Sequence, residues 1–357
     1  MEIIQRRYFA LENRAGYHVA VLGATGAVGR EMVRTLERHA FPVASLRLLA
    51  SPRSAGTLLP FSGEQLRVEA VNEHSFDGVD LALFSAGGSA SRQWAPVAVN
   101  AGCVVIDNSS AFRMEPDVPL IVPEVNGADL GHHHGLIANP NCSTAQLVLA
   151  LEPLKQRFGL HRVIVSTYQA VSGSGQRAID ELEHQLQAWV RGESVAPAVL
   201  PVADAAVHYP IALNVLPQID HFLADGFTKE EEKMQNETQK ILHAPRLAVS
   251  ATCVRVPVVR GHSESVYVEL EEPAEIPEIR DALRAFPTVV VEDDPDEQRY
   301  PYPLMCAGRE ETFVGRLRRD RYEERGIHFW IVSDNLLRGA ASNAVAIAET
   351  WAEAVHG

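Results

Sequence analysis

A cysteine stands where a helix is expected to begin. Cys142 follows Asn139-Pro140-Asn141 and precedes AQLVLALEPLKQRF, whose apolar residues have helical spacing, so we expect Cys142 at or just before a helix N-terminus. The helix dipole and nearby cations favour the thiolate there and can lower a thiol pKa from about 8.5 towards neutrality. The pattern is compatible with a nucleophile for covalent catalysis or with a buried, inert cysteine, and spacing alone leaves both open.

A strand followed by a glycine turn carries a second pair of candidate groups. In RVPVVRGHS the strand would deliver Arg255, and Gly261 would then present His262, so the two side chains could face one pocket. A histidine at a strand end can serve as general acid and base. The chain has 14 histidines, however, and a surface or hydrogen-bonding role for His262 stays open.

Other reactive side chains give weaker signals. Cys103, Cys253 and Cys306 lie in apolar strands or beside a proline-rich loop, which favours small core residues, and no CxxC pair indicates a disulfide framework or a structural zinc site. The run His132-His133-His134 cannot point three consecutive side chains at one ion, so we expect a solvated loop and no metal. The segment Glu230-Glu231-Glu232-Lys233 predicts the solvated start of a polar helix.

A glycine-rich turn is typical of a dinucleotide site. The segment Gly23-Ala24-Thr25-Gly26-Ala27-Val28-Gly29 ends an apolar strand and enters a helix, as the dinucleotide fingerprint requires. Glycines there permit a tight turn, and the helix N-terminus favours a pyrophosphate; a turn without a ligand is the alternative. Where an NAD enzyme would carry an acidic residue for the ribose, this chain has Arg53 and Ser54, which suit a 2′-phosphate and predict NADP.

The elements that must position these groups fall into two patterns. From Tyr17 onward, the apolar runs YHVAVL, LRLLA, DLALF and CVVID alternate with helical segments, the first with Val28, Met32 and Leu36 on one stripe. This rhythm predicts a parallel sheet flanked by helices. After about residue 160, longer strands (RVIVSTYQ, SATCVRVPVV, ESVYVEL, TFVGRL and IHFWIVS) are separated by predicted helices near 176–191, 228–243 and 275–286.

We therefore predict an α/β protein with an N-terminal Rossmann-like parallel-sheet domain and a second, α+β domain on a mixed or largely antiparallel sheet. The boundaries are residues 1–142, 143–333 and 334–357. The first range includes an extension of residues 1–16, and the last holds an Ala-rich helical pattern that we expect to pack on the first domain.

Composition limits the kinds of partner. The 357 residues are 46% hydrophobic and 22% charged, which fits two globular domains. The net charge is −14, and without a block of Lys and Arg we expect neither nucleic acid nor an anionic membrane as a partner. No apolar run approaches the roughly 20 residues that cross a bilayer, and the start lacks a signal-peptide core, so a cytoplasmic location is expected.

Eight segments, in order, resemble the aspartate-semialdehyde dehydrogenase family: GATGAVG, LASPRSAG, SAGGSASR, IDNSSAFR, NPNCST, YQAVSGSG, RVPVVRGHSES and VSDNLLRGAASNAV. The match runs from about residue 17 to the end. The resemblance implies NADPH-dependent reductive dephosphorylation of L-aspartyl 4-phosphate to L-aspartate 4-semialdehyde through a cysteine thioester, a step in lysine, threonine and methionine biosynthesis. It also implies pairing of the second domains in a homodimer, with a homotetramer as the alternative.

The resemblance also assigns residues. It makes Cys142 the nucleophile, Gln169 a substrate-orienting group and His262 the general acid and base. Substrate and phosphate contacts are implied for Arg113, Asn141, Glu230, Lys233 and Arg255, of which Arg113 and Lys233 form the phosphate pocket and Arg255 clamps the substrate carboxylate. NADP contacts are implied for Gly23, Thr25, Gly26, Ala27, Val28, Arg53, Ser54, Ala86, Gly87, Ser172, Gly173 and Asn335, with Ser85 to Gly88 between cofactor and phosphate.

Two other functions stay open. An N-acetyl-glutamyl-phosphate reductase uses similar chemistry on a longer, acylated substrate, but its usual glycine before the cysteine is replaced here by Asn141. A non-catalytic NADP-binding homologue would keep the fold as a sensor or assembly partner; the joint presence of Cys142, Gln169, Arg255 and His262 speaks against it. The extension of residues 1–16 is not covered by the match, and its role is open.

Overall fold

A computed structural model describes residues 16–356. Residues 1–15, nearly all of the expected N-terminal extension, lie outside the described residues. The chain divides into two compact units: the first ends at Pro140 and resumes at Ala340, and the second is Asn141–Gly339. Among the helices of residues 16–356, none combines the length and the apolar character that a bilayer crossing requires.

The first unit is built on a six-stranded sheet in which every pairing is parallel. Its strand order is β5-β2-β1-β6-β7-β8, and a two-stranded hairpin of β3 and β4 lies beside it. The strands are β1 (Tyr17–Leu22), β2 (Val43–Ala50), β3 (Leu58–Phe61), β4 (Glu64–Arg67), β5 (Glu69–Ala70), β6 (Leu81–Phe84), β7 (Val104–Asp107) and β8 (Leu136–Ala138).

Helices cover this parallel sheet, as crossover connections require. They are α1 (Ala27–Arg38), α2 (Gly88–Asn100), the short α3 (Pro123–Asn126) and the C-terminal α9 (Ser342–His356), with 3₁₀ turns at Pro52–Ser54 and Gly127–His132. Met32 and Leu36, on the predicted stripe of α1, are fully buried. They share a core with Val345 and Trp351 of α9, so the last helix of the chain completes the core of the first unit.

The second unit has a mixed six-stranded sheet in the order β10-β9-β11-β14-β13-β12. The pairs β9/β10 and β12/β13 are parallel, and the other three are antiparallel. Its strands are β9 (Leu160–Gln169), β10 (Ala248–Arg255), β11 (His262–Leu270), β12 (Val289–Val291), β13 (Thr312–Arg319) and β14 (Gly326–Ser333). The predicted fold class, a parallel-sheet domain followed by a mixed-sheet domain, is confirmed.

The helices of the second unit include the long, almost wholly buried α4. They are α4 (Cys142–Phe158), α5 (Gln176–Val190), α6 (Lys229–Ile241), α7 (Ile276–Ala285) and α8 (Pro303–Cys306), with a 3₁₀ turn at Val171–Ser174 and a π-helical turn at Leu337–Ala341. The predicted strand SATCVRVPVV is too long at its end, since β10 stops at Arg255. Pro257 lacks the N–H that a ladder needs, so the strand cannot continue through it.

Candidate functional site

The nucleophile candidate opens a capped helix. Cys142 is the first residue of α4, and the side chain of Asn141 accepts hydrogen bonds from the backbone N–H groups of Ser143 at 2.9 Å and Thr144 at 3.2 Å. The sulfur is partly buried. The prediction that Cys142 lies at a helix N-terminus is confirmed, and the helix dipole favours a negative sulfur there.

His262 lies directly against this sulfur. It is the first residue of β11, and its Nε2 is 3.2 Å from Cys142 Sγ. Its other ring nitrogen, Nδ1, accepts a hydrogen bond of 3.0 Å from the backbone N–H of Ala170. Burial and then the positive charge of Arg255 hold the pKa of His262 well below its usual range, so the imidazole is neutral at pH 7.

Arg255 lies on β10, as predicted, is the last residue of that strand and is 3% exposed. Its Nη1 donates to the carbonyl of Ala170 at 2.8 Å. A β-carbon placed on Gly173 would come within 3.0 Å of Arg255 Nη1 and 3.4 Å of the His262 ring. Arg255 and His262 therefore both border Gly173, and a side chain at position 173 would be in tight contact with them.

Glu230 joins three of the predicted site residues. Its Oε1 accepts from Asn141 Nδ2 at 2.9 Å and from Gln169 Nε2 at 3.2 Å, and its Oε2 lies 3.2 Å from Lys233 Nζ. Burial alone would raise the pKa of Glu230, but Lys233, these two hydrogen bonds and Arg255 outweigh it and lower the pKa. Glu230 is thus a buried carboxylate. Lys233 also pairs with Asp220 at 2.7 Å.

The prediction of a solvated start for α6 is wrong for two of its three glutamates. Glu230 and Glu231 are 5% and 8% exposed, and only Glu232 faces water. Glu231 forms a capping box with Thr228 and also accepts the backbone N–H of Cys253 at 2.9 Å. The spacing of Thr228 and Glu231 is a capping-box signal in the sequence itself. The other acceptor roles of Glu230 and Glu231 depend on donors from other elements.

Two contributors to the site were not among the predicted residues. Glu237 accepts the backbone N–H of Asn141 at 2.7 Å; its spacing of seven from Glu230 on one helix was a usable signal, since such residues share a face. Gly339, in the π-helical turn, approaches so closely that a β-carbon there would lie 2.6 Å from Cys142 Cβ. Such π-helical turns are common at functional sites.

Within the second unit, Asn335 ties together the segments around His262. Its Nδ2 donates to Ser172 Oγ at 2.9 Å, and its Oδ1 accepts the backbone N–H of Gly261 at 2.9 Å. Both Ser172 and Asn335 are 2% exposed. These two residues, predicted to contact the cofactor, thus brace the turn before β11.

In the first unit, the glycine turn after β1 packs on the loop after β6. Gly23 has φ +85°, and a β-carbon on it would lie 2.7 Å from the backbone of Ser85. The loop continues through Ala86 and Gly87 into α2, while Thr25, Gly26, Ala27 and Val28 form the entry to α1. Gly26 gives α1 no side-chain cap, so the N-terminal N–H groups face the kind of position that a phosphate takes in dinucleotide folds.

Basic residues complete the candidate cofactor and phosphate features of the first unit. Arg53 is exposed in the 3₁₀ turn Pro52–Ser54 that follows β2, next to the half-exposed Ser54. Arg113 is 6% exposed, and its guanidinium donates to the carbonyls of Asn139 at 2.9 Å and Asn108 at 2.8 Å. These two hydrogen bonds fix the orientation of the guanidinium.

The other three cysteines and the histidine run 132–134 differ in burial. Cys103, Cys253 and Cys306 are buried, which confirms their predicted core positions. Burial raises the pKa of Cys306 to about 12 and the pKa of Cys253 well above its usual range. The side chains of His132 and His134 are exposed, and residues 16–356 contain no group of three or more His, Cys, Asp or Glu placed to hold a metal ion.

The chain matches known families over most of its length. A family model described as the semialdehyde dehydrogenase NAD binding domain matches residues 18–133, and one described as the semialdehyde dehydrogenase dimerisation domain matches residues 151–338. An aspartate-semialdehyde dehydrogenase of Bacillus subtilis (strain 168) is 54% identical over 336 residues, 94% of this chain and 97% of that protein. The chain belongs to the aspartate-semialdehyde dehydrogenase family. It is accordingly an enzyme of an NAD(P)-dependent oxidoreductase family.

Solved structures of aspartate-semialdehyde dehydrogenases have the same fold. The Vibrio cholerae aspartate semialdehyde dehydrogenase II, complexed with ASA, is 42% identical with a TM-score of 0.90, covering 95% of this chain and 99% of that chain. The Candida albicans enzyme, with NADP, is 26% identical with a TM-score of 0.72, covering 95% and 99%.

Proposed function

We propose that this enzyme interconverts L-aspartyl 4-phosphate and L-aspartate 4-semialdehyde through a thioester on Cys142, in the biosynthesis of lysine, threonine and methionine. The single observation that supports this best is the pair formed by Cys142 Sγ and His262 Nε2, 3.2 Å apart at the start of α4. A sulfur at a helix N-terminus, in contact with a buried imidazole, is the arrangement that activates a thiol nucleophile.

In the biosynthetic direction, the Cys142 thiolate attacks the acyl carbon of the aspartyl phosphate, and the carbon–oxygen bond to phosphate breaks. His262 borders the sulfur and therefore the oxygen that becomes negative on the same carbon, where a hydrogen-bond donor stabilises the charge. Gln169, held by Glu230 at 3.2 Å, orients the acyl group. Covalent capture fixes the acyl carbon in place and converts the second half of the reaction into a positioned step.

Two buried charged side chains could bind the α-carboxylate and the α-ammonium group of an amino-acid substrate. Arg255, 3% exposed, offers a guanidinium that can bind the α-carboxylate bidentately. Glu230 is a buried carboxylate that attracts the α-ammonium, and Asn141 donates to it at 2.9 Å. An N-acetylated substrate has no ammonium group for Glu230, so the charge pattern favours aspartate over an acylated amino acid.

We propose that Arg113, which belongs to the first unit, and Lys233, which belongs to the second, bind the phosphoryl group. The Arg113 guanidinium is held by two carbonyl groups. Lys233 is paired with Asp220 and Glu230, so that a phosphate would have to compete with two carboxylates for its ammonium. Both charges would stabilise the phosphate as it leaves.

For the cofactor we propose NADP. The turn after β1, with Gly23, Thr25, Gly26, Ala27 and Val28, fits a pyrophosphate at the uncapped start of α1. Arg53 and Ser54 suit the 2′-phosphate, while Ala86 and Gly87 lie in the adjoining loop; Ser172, Gly173 and Asn335 are proposed for the nicotinamide end. When bound, the reduced dinucleotide supplies the hydride that turns the thioester into an aldehyde.

We also propose a homodimer, because residues 151–338 match the dimerisation-domain model. The sheet of that unit leaves Ile164 and Tyr168 exposed at 44% and 37%, and the ring of Tyr168 lies 5.3 Å from that of Trp330. A homotetramer is the alternative, and sedimentation of the purified protein distinguishes the two. The predicted domain boundaries and the cytoplasmic location stay predictions.

The decisive assay is phosphate-dependent reduction of NADP with L-aspartate semialdehyde, followed by absorbance of NADPH. We expect turnover that requires phosphate, is lost in Cys142→Ser and is retained in Cys103→Ser, the matched removal of a thiol from the core. N-acetyl-glutamate semialdehyde serves as the competing substrate. Turnover without phosphate, full activity of Cys142→Ser or a preference for the acetylated substrate would each contradict the proposal.

A further inference from the structure

Asp334 is a fully buried carboxylate that the proposed chemistry does not use. It directly follows β14, and its Oδ2 accepts hydrogen bonds from Arg260 Nε at 2.5 Å and from the backbone N–H of Gly308 at 2.6 Å. Its Oδ1 accepts from the backbone N–H groups of Leu336 at 2.9 Å and Leu337 at 3.3 Å. A carboxylate away from water needs such partners, and these come from three separate segments of the chain.

The Oδ1 bonds make Asp334 the capping residue of the π-helical turn Leu337–Ala341. A side-chain oxygen that accepts the N–H groups two and three residues later has the geometry of a helix N-cap. The carbonyl of Asp334 also accepts the N–H groups of Leu337 and Gly339, both at 3.2 Å. Asp334 therefore fixes the start of this turn through its side chain and its backbone.

Gly339 carries this constraint to Cys142. A β-carbon at position 339 would lie 2.6 Å from Cys142 Cβ and 3.2 Å from its carbonyl oxygen. The backbone of the turn is thus packed directly on the first residue of α4. A shift of the turn must be passed on to Cys142, because close-packed interiors transmit displacements.

The charge partner of Asp334 belongs to the turn that leads into β11. Asp334 holds the side chain of Arg260, and the next residue, Asn335, accepts the backbone N–H of Gly261 at 2.9 Å. Two consecutive residues after β14 therefore hold two consecutive residues before β11.

We propose that Asp334 is a positioning residue for Cys142, and that its ion pair with Arg260 keeps the π-helical turn seated on the start of α4. The inference rests on the proposed role of Cys142 as the nucleophile. Asp334 acts through Gly339 and not by contact with the substrate. Its loss should therefore alter the reactivity of the sulfur, which a purely stabilising ion pair elsewhere in the unit would not do.

A second buried aspartate provides the matched control. The side chain of Asp293 is 1% exposed and accepts from Arg280 Nη2 at 2.7 Å and from the backbone N–H of Arg316 at 2.7 Å. The side chains of Arg260 and Arg280 are similarly exposed, at 26% and 29%. The Asp293 pair joins the loop after β12 to α7 and β13, so it stabilises the same unit through other elements.

The first test is alkylation of Cys142 by iodoacetamide at pH 7 in the full-length enzyme without substrate, measured by mass spectrometry of the digested protein. In Asp334→Asn, the one remaining oxygen can serve only one of the two pairs of donors. We expect the alkylation rate to fall about threefold or more, because a displaced sulfur loses part of the helix-dipole interaction that favours the thiolate. Loss of a negative charge alone would act in the opposite direction.

Asp293→Asn should be alkylated at the wild-type rate. An unchanged or faster rate in Asp334→Asn, or an equal fall in Asp293→Asn, would overturn the inference. If Asp334→Asn does not fold, Arg260→Met decides, with Arg280→Met as its control. Methionine keeps the stem volume but removes the charge and the donors. We expect slower alkylation in Arg260→Met alone, and equal rates in the two methionine variants would reject the proposal.

The closing experiment is a double-mutant cycle in kcat between Asp334→Asn and Gly339→Ala. A displacement of about 1 Å can cost about 100-fold in rate, so we expect Asp334→Asn to lose about tenfold or more. If Asp334 acts through Gly339, the double variant should be within about threefold of Gly339→Ala, because the turn is already displaced. Additive losses would contradict the inference. If the wild type does not turn over aspartate semialdehyde, the proposed function fails, while alkylation still decides the role of Asp334.

Discussion

Gly339 lies directly against Cys142: a β-carbon at position 339 would be 2.6 Å from Cys142 Cβ and 3.0 Å from its Cα. Real carbon atoms do not approach so closely, so any side chain at position 339 must displace either the π-helical turn or the first residue of α4. The sulfur of Cys142 has to stay within reach of His262, and the absence of a side chain at position 339 is what permits this packing.

Gly339→Ala should therefore damage catalysis more than folding. Displacing a reacting group by about 1 Å can cost about 100-fold in rate, while overpacking costs about 1–3 kcal/mol of stability. We expect kcat to fall about 100-fold, with a change in the rate of Cys142 alkylation by iodoacetamide. Gly131→Ala is the control, since that site has open space around it. Normal kcat in Gly339→Ala would show that the contact does not position the sulfur.

Arg255→Lys should mainly weaken substrate binding. Lysine keeps the charge but cannot hold a carboxylate with two parallel N–H groups, and a hydrogen bond to a charged group contributes about 1.5–3 kcal/mol. We expect KM for aspartate semialdehyde to rise about 10-fold to 100-fold, with a smaller change in kcat. Steady-state kinetics at saturating phosphate and NADP check this. An unchanged KM would show that Arg255 does not bind the substrate carboxylate.

Arg53→Ala should weaken the binding of NADP more than the binding of NAD. Arg53 is exposed in the 3₁₀ turn that follows β2, the position from which dinucleotide folds contact the 2′ position of the ribose. We expect KM for NADP to rise about tenfold or more, with less than about a twofold change for NAD. Arg67→Ala, another exposed arginine of the same unit, controls for net charge. A parallel rise for both dinucleotides would contradict the assignment.

Glu264→Gln should change the pH dependence of stability. Burial raises the pKa of Glu264 well above its ordinary value of 4.5, partly offset by the amide of Gln146. Above pH 4.5 the unfolded chain loses this proton while the folded chain keeps it, so this group's stabilisation is lost as pH rises towards the folded pKa, by about 1.4 kcal/mol per pH unit. Glutamine does not ionise, so this loss of folding stability with rising pH should be absent in Glu264→Gln.

We therefore expect the urea midpoint of Glu264→Gln to rise relative to wild type from pH 5 to pH 8. The exposed Glu272→Gln should show no such trend. Parallel midpoints for wild type and Glu264→Gln across this range would mean that Glu264 is ionised in the folded protein.

Local patterns in the sequence predicted the elements well. The start of α4 follows from a capping residue and apolar spacing, both contained within a few positions of Cys142. The predicted helix near 228–243 is α6, Lys229–Ile241, and its start is fixed by Thr228. The alternation of strands and helices predicted the parallel sheet of the first unit. Parallel strands are joined by crossover helices, and each strand–helix–strand pattern can be read within a short stretch of sequence.

What the sequence could not predict depends on contacts between distant segments. The spacing of Glu230 and Glu237 shows only that they share a face of α6, while their common partner Asn141 lies 89 and 96 positions away in the sequence. The hydrogen bond from the backbone N–H of Ala170 to His262 Nδ1 joins residues 92 positions apart. The close packing of Gly339 on Cys142 likewise joins two segments that only the fold brings together.

The most direct test of the account is the covalent adduct itself. Enzyme mixed with aspartate semialdehyde and NADP without phosphate, quenched in acid and digested, should yield the Cys142 peptide with the mass of an added aspartyl group. Phosphate added before the quench should discharge the adduct, and Cys142→Ser should never form it. An adduct on another residue, or none in an enzyme that turns over, would contradict the thioester mechanism.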